Sequence, residues 1–361
     1  MTSPDARLPV RLPSTLPTVT AGKAAIAELH RGMNLGNALE APNEGDWGVT
    51  LSSAHFQVFA DAGFDHVRLP VRFSAHAGAT APYSIDATFF ARVDWALDQA
   101  QARGLAVILD VHHFVEFLAN PSGNKARFIA LWQQIATRYR ARPASLKFEL
   151  MNEPNGPLDA QWNAIFPEAL AAVRAIDPTR AVLLDSTSWS AGTTLSLLPT
   201  ITDPNLVVSF HMYDPVLFTH QAASWMTAEY QTRGLIFPAP PCTPITPSAG
   251  AQAVAWTAQW FTSYNQAPAA TNVGGMKAVE DVFAAVDAFV TRTGRAVHLG
   301  EFGVIDQADA GSRARWVRLI RESAEARGIP WTYWDDGGSL KAVTPSTGSW
   351  VPYLKTALLG P

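Results

Sequence analysis

The chain has 361 residues, a hydrophobic fraction of 48% and a formal net charge of −4, with Lys+Arg 27 against Asp+Glu 31. This balance provides no basic field for nucleic acid or an anionic membrane, so neither is an expected partner. Cys242 is the only cysteine, which excludes an intramolecular disulfide and a thiolate metal cluster. No run approaches the roughly 20 consecutive apolar residues of a membrane span, so we expect a soluble protein.

The N-terminal 30 residues carry several prolines and then a short helical stretch at Ala21–His30. We expect this segment to be a lead-in that covers the floor of the following domain. Residues 1–10 lack the charged-then-apolar pattern of a signal peptide. Either the protein stays inside the cell or an export signal has been removed.

After the lead-in, short β-branched runs alternate with longer stretches of helical periodicity, such as Ala87–Ala100 and Ala126–Arg140. The predicted strands are Gly32–Ala38, Asp65–Val71, Ala106–His112, Leu146–Asn152, Ala181–Ser186, Leu206–Tyr213, Ala296–Glu301 and Pro330–Trp334. Eight β-α units that close on themselves form an α/β fold, the (β/α)8 TIM barrel. We therefore predict a single-domain barrel over 31–361.

One segment, 231–275, interrupts the alternation between the sixth and seventh predicted strands. Its proline-rich part, Phe237–Pro247, cannot be a helix or a central strand, because proline lacks an amide donor and has a restricted φ. We expect an extended surface loop there. Long ordered loops often shape binding sites, although this one could equally be a structural flap.

In a barrel of this kind, chemistry belongs at the C-terminal ends of the strands. Polar and aromatic residues do follow the predicted strands: Arg68, Asp110, His112, His113, Asn152, Glu153, His211, Tyr213, Glu301, Trp334, Asp335 and Asp336. One rim of the barrel should therefore collect them all. Among them, Glu153 and Glu301 each end a hydrophobic run. A glycosidase cleaves its bond with two carboxyl groups that face each other across it.

The motifs along the chain strongly resemble those of the family 5 glycoside hydrolases. The similar segments, in order, are Arg31–Glu40, Ala41–Gly48, His66–Pro70, Asn152–Pro154, Phe218–Gln221 and Gly300–Gly303, and the similarity runs from about residue 31 to 358. The resemblance implies a retaining glycosidase on a (β/α)8 barrel, with catalytic glutamates after strands four and seven. It is nearest to bacterial endoglucanases that act on both β-glucans and β-mannans.

On this resemblance, Glu153 is the general acid and then the base, and Glu301 is the nucleophile. The acid needs a raised pKa so that it is protonated before transfer. The nucleophile should be ionised and held by Arg68 and the Tyr213 hydroxyl. Retention predicts a separation of roughly 5–5.5 Å between the two carboxyl groups.

The same resemblance supplies the sugar contacts. Asn152 would bond the 2-hydroxyl, His112 and His113 other hydroxyls, His211 would lie near the acid, and Trp334 would stack under the cleaved sugar. More distant sugar units could meet Asn37, Glu40, His220, Asp335 or Lys341. Weaker aromatic candidates are Trp47, Trp225, Trp256 and Trp260.

Rival classes fit less well. A metal-dependent barrel hydrolase would want His-x-His after strand one, where this chain has Asn34-Leu-Gly-Asn37. His112, His113 and Glu116 could suggest a metal, but adjacent strand residues point to opposite sides. A Schiff-base aldolase would need a lysine at a strand end. A barrel that only binds carbohydrate would usually have lost one of the two glutamates.

The sequence thus predicts a retaining endo-β-1,4-glucanase that needs no metal and no organic cofactor. The alternatives are an exo-acting β-glucosidase, if 231–275 closes the cleft, and a β-mannanase on the same scaffold. The expected partner is a β-linked oligo- or polysaccharide, and the expected state is a monomer. A polymeric substrate implies a secreted or periplasmic protein.

Overall fold

The computed structural model describes residues 7–360, so residues 1–6 of the predicted lead-in lie outside it. In the described part, eight parallel strands form a closed barrel in the order β1 to β8. The strands are β1 Arg31–Asn34, β2 His66–Val71, β3 Ala106–Val111, β4 Leu146–Glu149, β5 Val182–Asp185, β6 Leu206–Met212, β7 Val297–Phe302 and β8 Trp331–Tyr333. The predicted (β/α)8 fold is confirmed.

Most strand limits agree with the sequence prediction within one residue, but β1 and β4 end three to four residues earlier than predicted. The reason is burial outside the strands. The loop residues Leu35 and Ala38 after β1, and Leu150 and Met151 after β4, are as buried as strand residues. The apolar stretch of sequence therefore continues beyond the last residue that pairs in the sheet.

Helices surround the barrel, and several begin with a side-chain cap. The Asp86 carboxylate accepts from the Phe89 amide, and Asp309 does the same for Ser312. The α-helices are α1 Ser53–Asp61, α2 Ala87–Gln101, α3 Val115–Ala119, α4 Pro121–Tyr139, α5 Asp159–Arg174, α6 Thr187–Ser190, α7 Val216–Thr219, α8 Ala249–Ala253, α9 Ala255–Gln266, α10 Met276–Thr293, α11 Ala310–Glu325 and α12 Pro352–Leu359. Single 3-10 turns lie at Lys23–Ile26, Phe73–His76, Gly156–Leu158, Gly192–Leu197 and Ala228–Tyr230, and a two-stranded hairpin joins β9 Val343–Thr344 to β10 Ser349–Trp350.

The interior of the barrel is layered. Its lower end is apolar, because Ile26 and Leu29 from the N-terminal segment pack against Ile108, Leu183 and Val207 of the strands. Where the sequence suggested a helix over Ala21–His30, the structure has only the short turn Lys23–Ile26. This end of the barrel is closed by side chains.

The upper half of the interior is polar and charged. Side chains alternate across a strand, so Arg68, Asp110, Glu149, Asp185 and His211 all belong to the inward-facing series of their strands. Each is 3% exposed or less. The polar layer opens only at the C-terminal rim, where the βα loops begin.

The segment 231–275 holds α8 and α9 and packs on the outside of the barrel. The expectation of a surface loop for its proline-rich part is wrong at its start. Phe237 is fully buried, its amide donates to Ser312 Oγ at 2.9 Å, and its carbonyl accepts from Arg315 Nε at 3.0 Å. These bonds fasten the segment to α11. A buried backbone needs hydrogen-bond partners, and because a proline-rich chain cannot find them in a sheet, it takes them from α11 side chains.

Within residues 7–360, no helix combines the length and the apolar character needed to cross a membrane.

Candidate active site

A cavity of about 520 Å³ opens at the C-terminal rim of the barrel. Its walls come from the loops after most of the strands, and Glu153 and Glu301 both border it. The lining residues are Asn37, Trp47, His112, His113, Asn152, Glu153, Tyr213, His220, Trp225, Glu301, Trp334, Asp336 and Leu340. The residues that were scattered over the sequence thus meet in one place.

Arg68 is the centre of the charged layer beneath this cavity. Its guanidinium is fully buried and lies 2.7 Å from carboxylate oxygens of Asp110, Glu149 and Glu301. Nη2 also donates to Asn152 Oδ1 at 2.8 Å. Because the side-chain oxygen of Asn152 accepts from Arg68, its amide NH2 remains available as a donor towards the cavity.

A register shift places the histidine of β6 beside the nucleophile candidate. Phe210 pairs with Leu299, but His211 pairs with Glu301, so the ladder skips Gly300. A Cβ at Gly300 would lie 2.7 Å from Ser209 Oγ and 3.0 Å from His211 Nε2. Glycine is required here because those two side chains occupy the space.

His211 bridges the two glutamates. Its Nδ1 is 2.9 Å from Glu153 Oε1 and 3.6 Å from Glu301 Oε2. One carboxylate oxygen of Glu153 and one of Glu301 lie within 4.8 Å of each other. This proximity agrees with the short separation of retaining glycosidases.

The two glutamates differ in their partners. Glu301 is 6% exposed, accepts from Arg68 Nη1 at 2.7 Å and accepts from the Tyr213 hydroxyl at 2.9 Å. Glu153 keeps 24% of its side chain exposed and bonds His211 rather than a cation. A carboxylate held by a guanidinium and a phenol is the better anion, so this arrangement favours ionisation of Glu301 over that of Glu153.

Burial acts on both carboxyls. It raises the pKa of Glu153 to about 7, which Arg68 opposes and Glu149 and Asp110 reinforce. Burial also raises the pKa of Glu301 to about 7, against His211 and Arg68, which lower it. Since the two groups are close, they titrate as a pair, and the pair holds one proton near neutral pH.

The backbone at Glu153 is left-handed, with φ 48°, a conformation that is unusual for a non-glycine residue. Its amide donates to Asp185 Oδ2 at 3.1 Å, and the carbonyl of the next residue, Pro154, accepts from the Trp189 amide at 3.2 Å. These bonds hold a strained backbone that aims the acid into the cavity.

Two histidines and a tryptophan form one wall. The His112 ring stacks on Trp334 with centroids 5.5 Å apart, and His112 and His113 meet edge to face at 4.7 Å. Both histidines border the cavity, so the expectation that they point to opposite sides is wrong. β3 ends at Val111, and the alternation of a strand does not extend into the loop.

The candidates for contacts with more distant sugar units fall into residues that border the cavity and residues that do not. Asn37 and His220 border the cavity. Glu40 is fully buried, and its carboxylate accepts from the amides of Asn37 and Ala38. Burial raises the pKa of Glu40 to about 8. It shapes the loop after β1 and does not border the cavity.

Asp335, like Glu40, is buried and accepts hydrogen bonds from loop amides. Its two oxygens accept from the amides of Gly337 and Ala342, at 2.9 and 2.8 Å, and it is 7% exposed. Asp336 borders the cavity in its place. Lys341 does not border the cavity, and among the weaker aromatic candidates Trp47 and Trp225 do, whereas Trp256 and Trp260 do not.

Sequence reasoning missed three residues. Glu149 and Asp185 complete the charged layer, and a charge at an inward position of an otherwise apolar strand was the available signal. Trp189 is 60% exposed on a turn whose residues Ser188, Trp189 and Ser190 all have φ between 55° and 57°. Nothing in the sequence indicates that left-handed turn, because it depends on bonds such as Ser188 N to Asp159 Oδ1 at 2.8 Å.

A model of the family "Cellulase (glycosyl hydrolase family 5)" matches residues 30–339. The chain belongs to this family. The chain is similar to Endoglucanase H of Acetivibrio thermocellus, which is 32% identical over 331 residues, covering 91% of this chain. The chain spans 32% of that relative's own length and 67% of Endoglucanase B of Clostridium cellulovorans.

Solved structures agree on the family 5 fold. Thermotoga maritima Cel5A in complex with cellobiose is 33% identical, with a TM-score of 0.81, covering 93% of this chain and 99% of that one. The same protein has been solved with a mannotriose substrate, with a TM-score of 0.79, 33% identity and the same coverage. The predicted family is thereby confirmed.

Proposed function

We propose that this family 5 barrel is a retaining endo-β-1,4-glucanase. The observation that carries the proposal is the pair Glu153 and Glu301: two carboxyl groups within 4.8 Å, one paired with a guanidinium and the other not. No other arrangement on the rim divides the roles of acid and nucleophile so clearly. The endoglucanase names of the relatives support the same activity.

In the first step, Glu153 donates its proton to the glycosidic oxygen while Glu301 attacks the anomeric carbon. Arg68 and the Tyr213 hydroxyl hold Glu301 in place and keep it ionised until attack. Asn152 presents its NH2 to the 2-hydroxyl, a bond that strengthens as positive charge develops on the ring. Trp334 offers the ring face on which this sugar stacks.

In the second step, Glu153 has become a carboxylate and takes a proton from water. That water attacks the anomeric carbon and releases Glu301, so the product keeps the β configuration. His211, bonded to Glu153 at 2.9 Å, keeps the carboxylate oriented through both steps. No residue role here requires a metal ion.

Exposed aromatic residues support endo action. Trp47, in the loop after β1, is 41% exposed and borders the cavity, whereas Trp189, in the loop after β5, is 60% exposed and lies outside the cavity lining. β1 and β5 lie on opposite sides of the closed strand order. Trp225, 55% exposed, borders the cavity from the loop after β6. Aromatic faces on more than one side of the catalytic pair suit a chain that continues past both ends of the cleaved bond.

A β-mannan is the second substrate to consider, because the related Thermotoga maritima Cel5A has been solved with both cellobiose and mannotriose. Glucose and mannose differ only at the 2-hydroxyl. In this chain Asn152, which borders the cavity, is the proposed contact of that hydroxyl. A polymeric substrate further supports a secreted or periplasmic location, and we propose that the enzyme acts as a monomer.

Time-resolved product analysis of cellohexaose and mannohexaose in parallel, with the anomeric configuration read by NMR, tests the proposal. Early release of mid-length β-configured products from cellohexaose is expected. Stepwise release of glucose would show an exo-acting β-glucosidase instead. Faster turnover of mannohexaose would make the protein a β-mannanase, and α-configured first products would overturn retention.

A further inference from the structure

Asp185, at the end of β5, lies directly behind the acid/base and has no role in the chemistry described above. Its side chain is fully buried. Oδ2 accepts the backbone amide of Glu153 at 3.1 Å, and the Asp185 carbonyl accepts from Trp162 Nε1 at 2.9 Å. The residue is therefore fixed from both sides.

Among the inward-facing carboxyls of the described strands, Asp185 is the one that forms no ion pair with a cation. Arg68 forms ion pairs with Asp110, Glu149 and Glu301. In contrast, a carboxylate oxygen of Asp185 lies within 4.8 Å of Glu149 and of a ring nitrogen of His211. An unpaired buried carboxylate beside another negative group is costly, and such a group takes up a proton.

Three buried polar atoms around this point have no hydrogen-bond partner within normal geometry in the described residues. They are Asp185 Oδ1, Ser209 Oγ and His211 Nε2. Asp185 pairs with Ser209 in the β5–β6 ladder, and Ser209 Oγ and His211 Nε2 both border the space at Gly300. The three atoms thus belong to a single cluster, and each needs a donor or an acceptor.

We propose that Asp185 is a positioning residue for the acid/base, and that it carries a proton which links it through the Ser209 hydroxyl to His211 Nε2. The proton on Oδ1 is donated to Ser209 Oγ, and the Ser209 hydroxyl is donated to Nε2. One proton therefore satisfies all three atoms. With an ionised Asp185, the Ser209 hydroxyl would donate to Asp185 and Nε2 would have to carry the ring proton and donate it to Ser209 Oγ. Nδ1 would then be an acceptor that draws the Glu153 proton away from the glycosidic oxygen.

The link decides the tautomer of His211. When Nε2 accepts, the ring proton of the neutral imidazole is on Nδ1 and is donated to Glu153 Oε1. The acid proton of Glu153 is then on Oε2, the oxygen left for the glycosidic bond. Asp185 thus acts on the acid at two points, the backbone amide and the carboxyl group.

The surroundings of Asp185 and His211 are consistent with a protonated Asp185 and a neutral His211. Burial raises the pKa of Asp185 well above its usual value and Glu149 raises it further, whereas Arg68, the Glu153 amide and Ser209 lower it. Burial lowers the pKa of His211, which favours the neutral ring that the link requires. The groups that face Asp185 are Glu149 and Glu153 from the β4 side and Ser209 and His211 from β6, with Arg68 and Asp110 beyond them.

The proposal rests on the proposed glycosidase function, and its test uses the full chain with two substrates. Variants are Asp185→Asn, Asp185→Ala and Ser209→Ala, with Asp177→Asn as matched control. Asp177 is also a buried aspartate, but it pairs with Arg180 at 2.8 Å away from the rim. The substrates are cellohexaose and 2,4-dinitrophenyl β-cellobioside, whose leaving group needs no proton.

Asp185→Asn replaces a neutral acid by a neutral amide that also donates to Ser209. We expect kcat/KM on cellohexaose within about threefold of the parent and an unmoved alkaline limb of the pH profile. Asp185→Ala should lose about tenfold or more, since misplaced catalytic groups are costly, and Ser209→Ala should lose less. On the dinitrophenyl substrate both alanine variants should keep kcat/KM. Asp177→Asn should lose thermal stability alone.

Infrared difference spectra between wild type and Asp185→Asn provide a readout that needs no substrate. A protonated-carboxyl band at pH 7 that is lost in the variant is expected. Its absence, or an alkaline limb moved to lower pH in Asp185→Asn, would overturn the proposal. Equal losses on both substrates in Asp185→Ala would also contradict it, and if Asp185→Ala does not fold, the infrared result decides. Failure of the wild type to cleave cellohexaose would instead count against the proposed function.

Discussion

The barrel interior contains two polar layers that differ in charge and in access to solvent. The lower layer joins two imidazoles through one hydroxyl: Thr332 Oγ1 lies 3.1 Å from His66 Nε2 and 3.0 Å from His298 Nε2. The upper layer groups Arg68 with several carboxyls and opens into the cavity. Both are buried among β-strands, so burial alone does not distinguish a structural polar group from a catalytic one.

The excess of charged groups distinguishes the upper layer from the lower one. Burial lowers the pKa of His298 well below its usual value, which keeps the His298 ring neutral. In the upper layer, burial raises the pKa of Glu153 and Glu301 to about 7, and one guanidinium serves more carboxylates than it can neutralise. The upper layer groups carboxyls around one cation beneath the cavity, whereas the lower layer shares one hydroxyl between two imidazole rings away from the cavity lining.

The largest expected effect comes from the nucleophile. Glu301→Gln should lower kcat on cellohexaose by at least about 10⁴-fold, because an amide cannot form the covalent intermediate. Glu153→Gln should cost about 10²–10⁴-fold, the usual contribution of a general acid. Steady-state kinetics measure both effects. Thermal melting should show both variants folded, and full activity in either would contradict the mechanism.

Arg68→Met should break the upper layer as a whole. Its three carboxylate partners would remain buried without a cation, at a cost of about 3–5 kcal/mol in the free energy of unfolding. Denaturant titration measures this loss. Activity should fall together with stability, since Glu301 would lose its guanidinium. A variant as stable as the parent would show that the carboxyls do not depend on Arg68.

The pH profile separates the two glutamates. Below the lower pKa of the pair, Glu301 is protonated and cannot attack, and above the higher one Glu153 is ionised and cannot donate. A bell-shaped kcat/KM centred near pH 7 is expected on cellohexaose. On 2,4-dinitrophenyl β-cellobioside, whose leaving group needs no proton, the alkaline limb should be absent in the parent and in Glu153→Gln, while the acid limb remains. A retained alkaline limb would assign it to another group.

Thr332→Val should change the lower layer only. It leaves His66 and His298 without their shared hydroxyl, which we expect to cost about 1–3 kcal/mol in the free energy of unfolding. At temperatures where the variant is folded, kcat/KM should equal that of the parent. A clear loss of activity in the folded variant would mean that the two layers are coupled.

The smallest expected effect is that of a chelator. The oxygens of Glu149 and Asp185 and a nitrogen of His211 are close enough to hold a cation, as are Glu153, His211 and Glu301. The Arg68 guanidinium already supplies positive charge to that layer, so EDTA should leave activity unchanged. Activity lost on dialysis against EDTA and restored by a divalent metal would revive a metal-dependent mechanism.

Local sequence was sufficient for the barrel and for the position of Glu153 and Glu301 at its rim, because hydrophobic periodicity and position at strand ends are local properties. It failed where the answer depended on a neighbour distant in sequence. Glu40 and Asp335 looked like rim residues, yet their oxygens bond loop amides. Phe237 was placed in a surface loop, but α11 offers its backbone a donor and an acceptor.

The sequence by itself determined the (β/α)8 fold, the family, and the presence of Glu153 and Glu301 at the C-terminal rim. The tertiary structure supplied the contacts behind the proposed division of roles, because only folding brings Arg68 and Tyr213 to Glu301 and leaves Glu153 with His211. It also decided that Asp185 stands behind the acid. Ionisation depends on distances and burial, and those exist only once the strands have closed into a barrel.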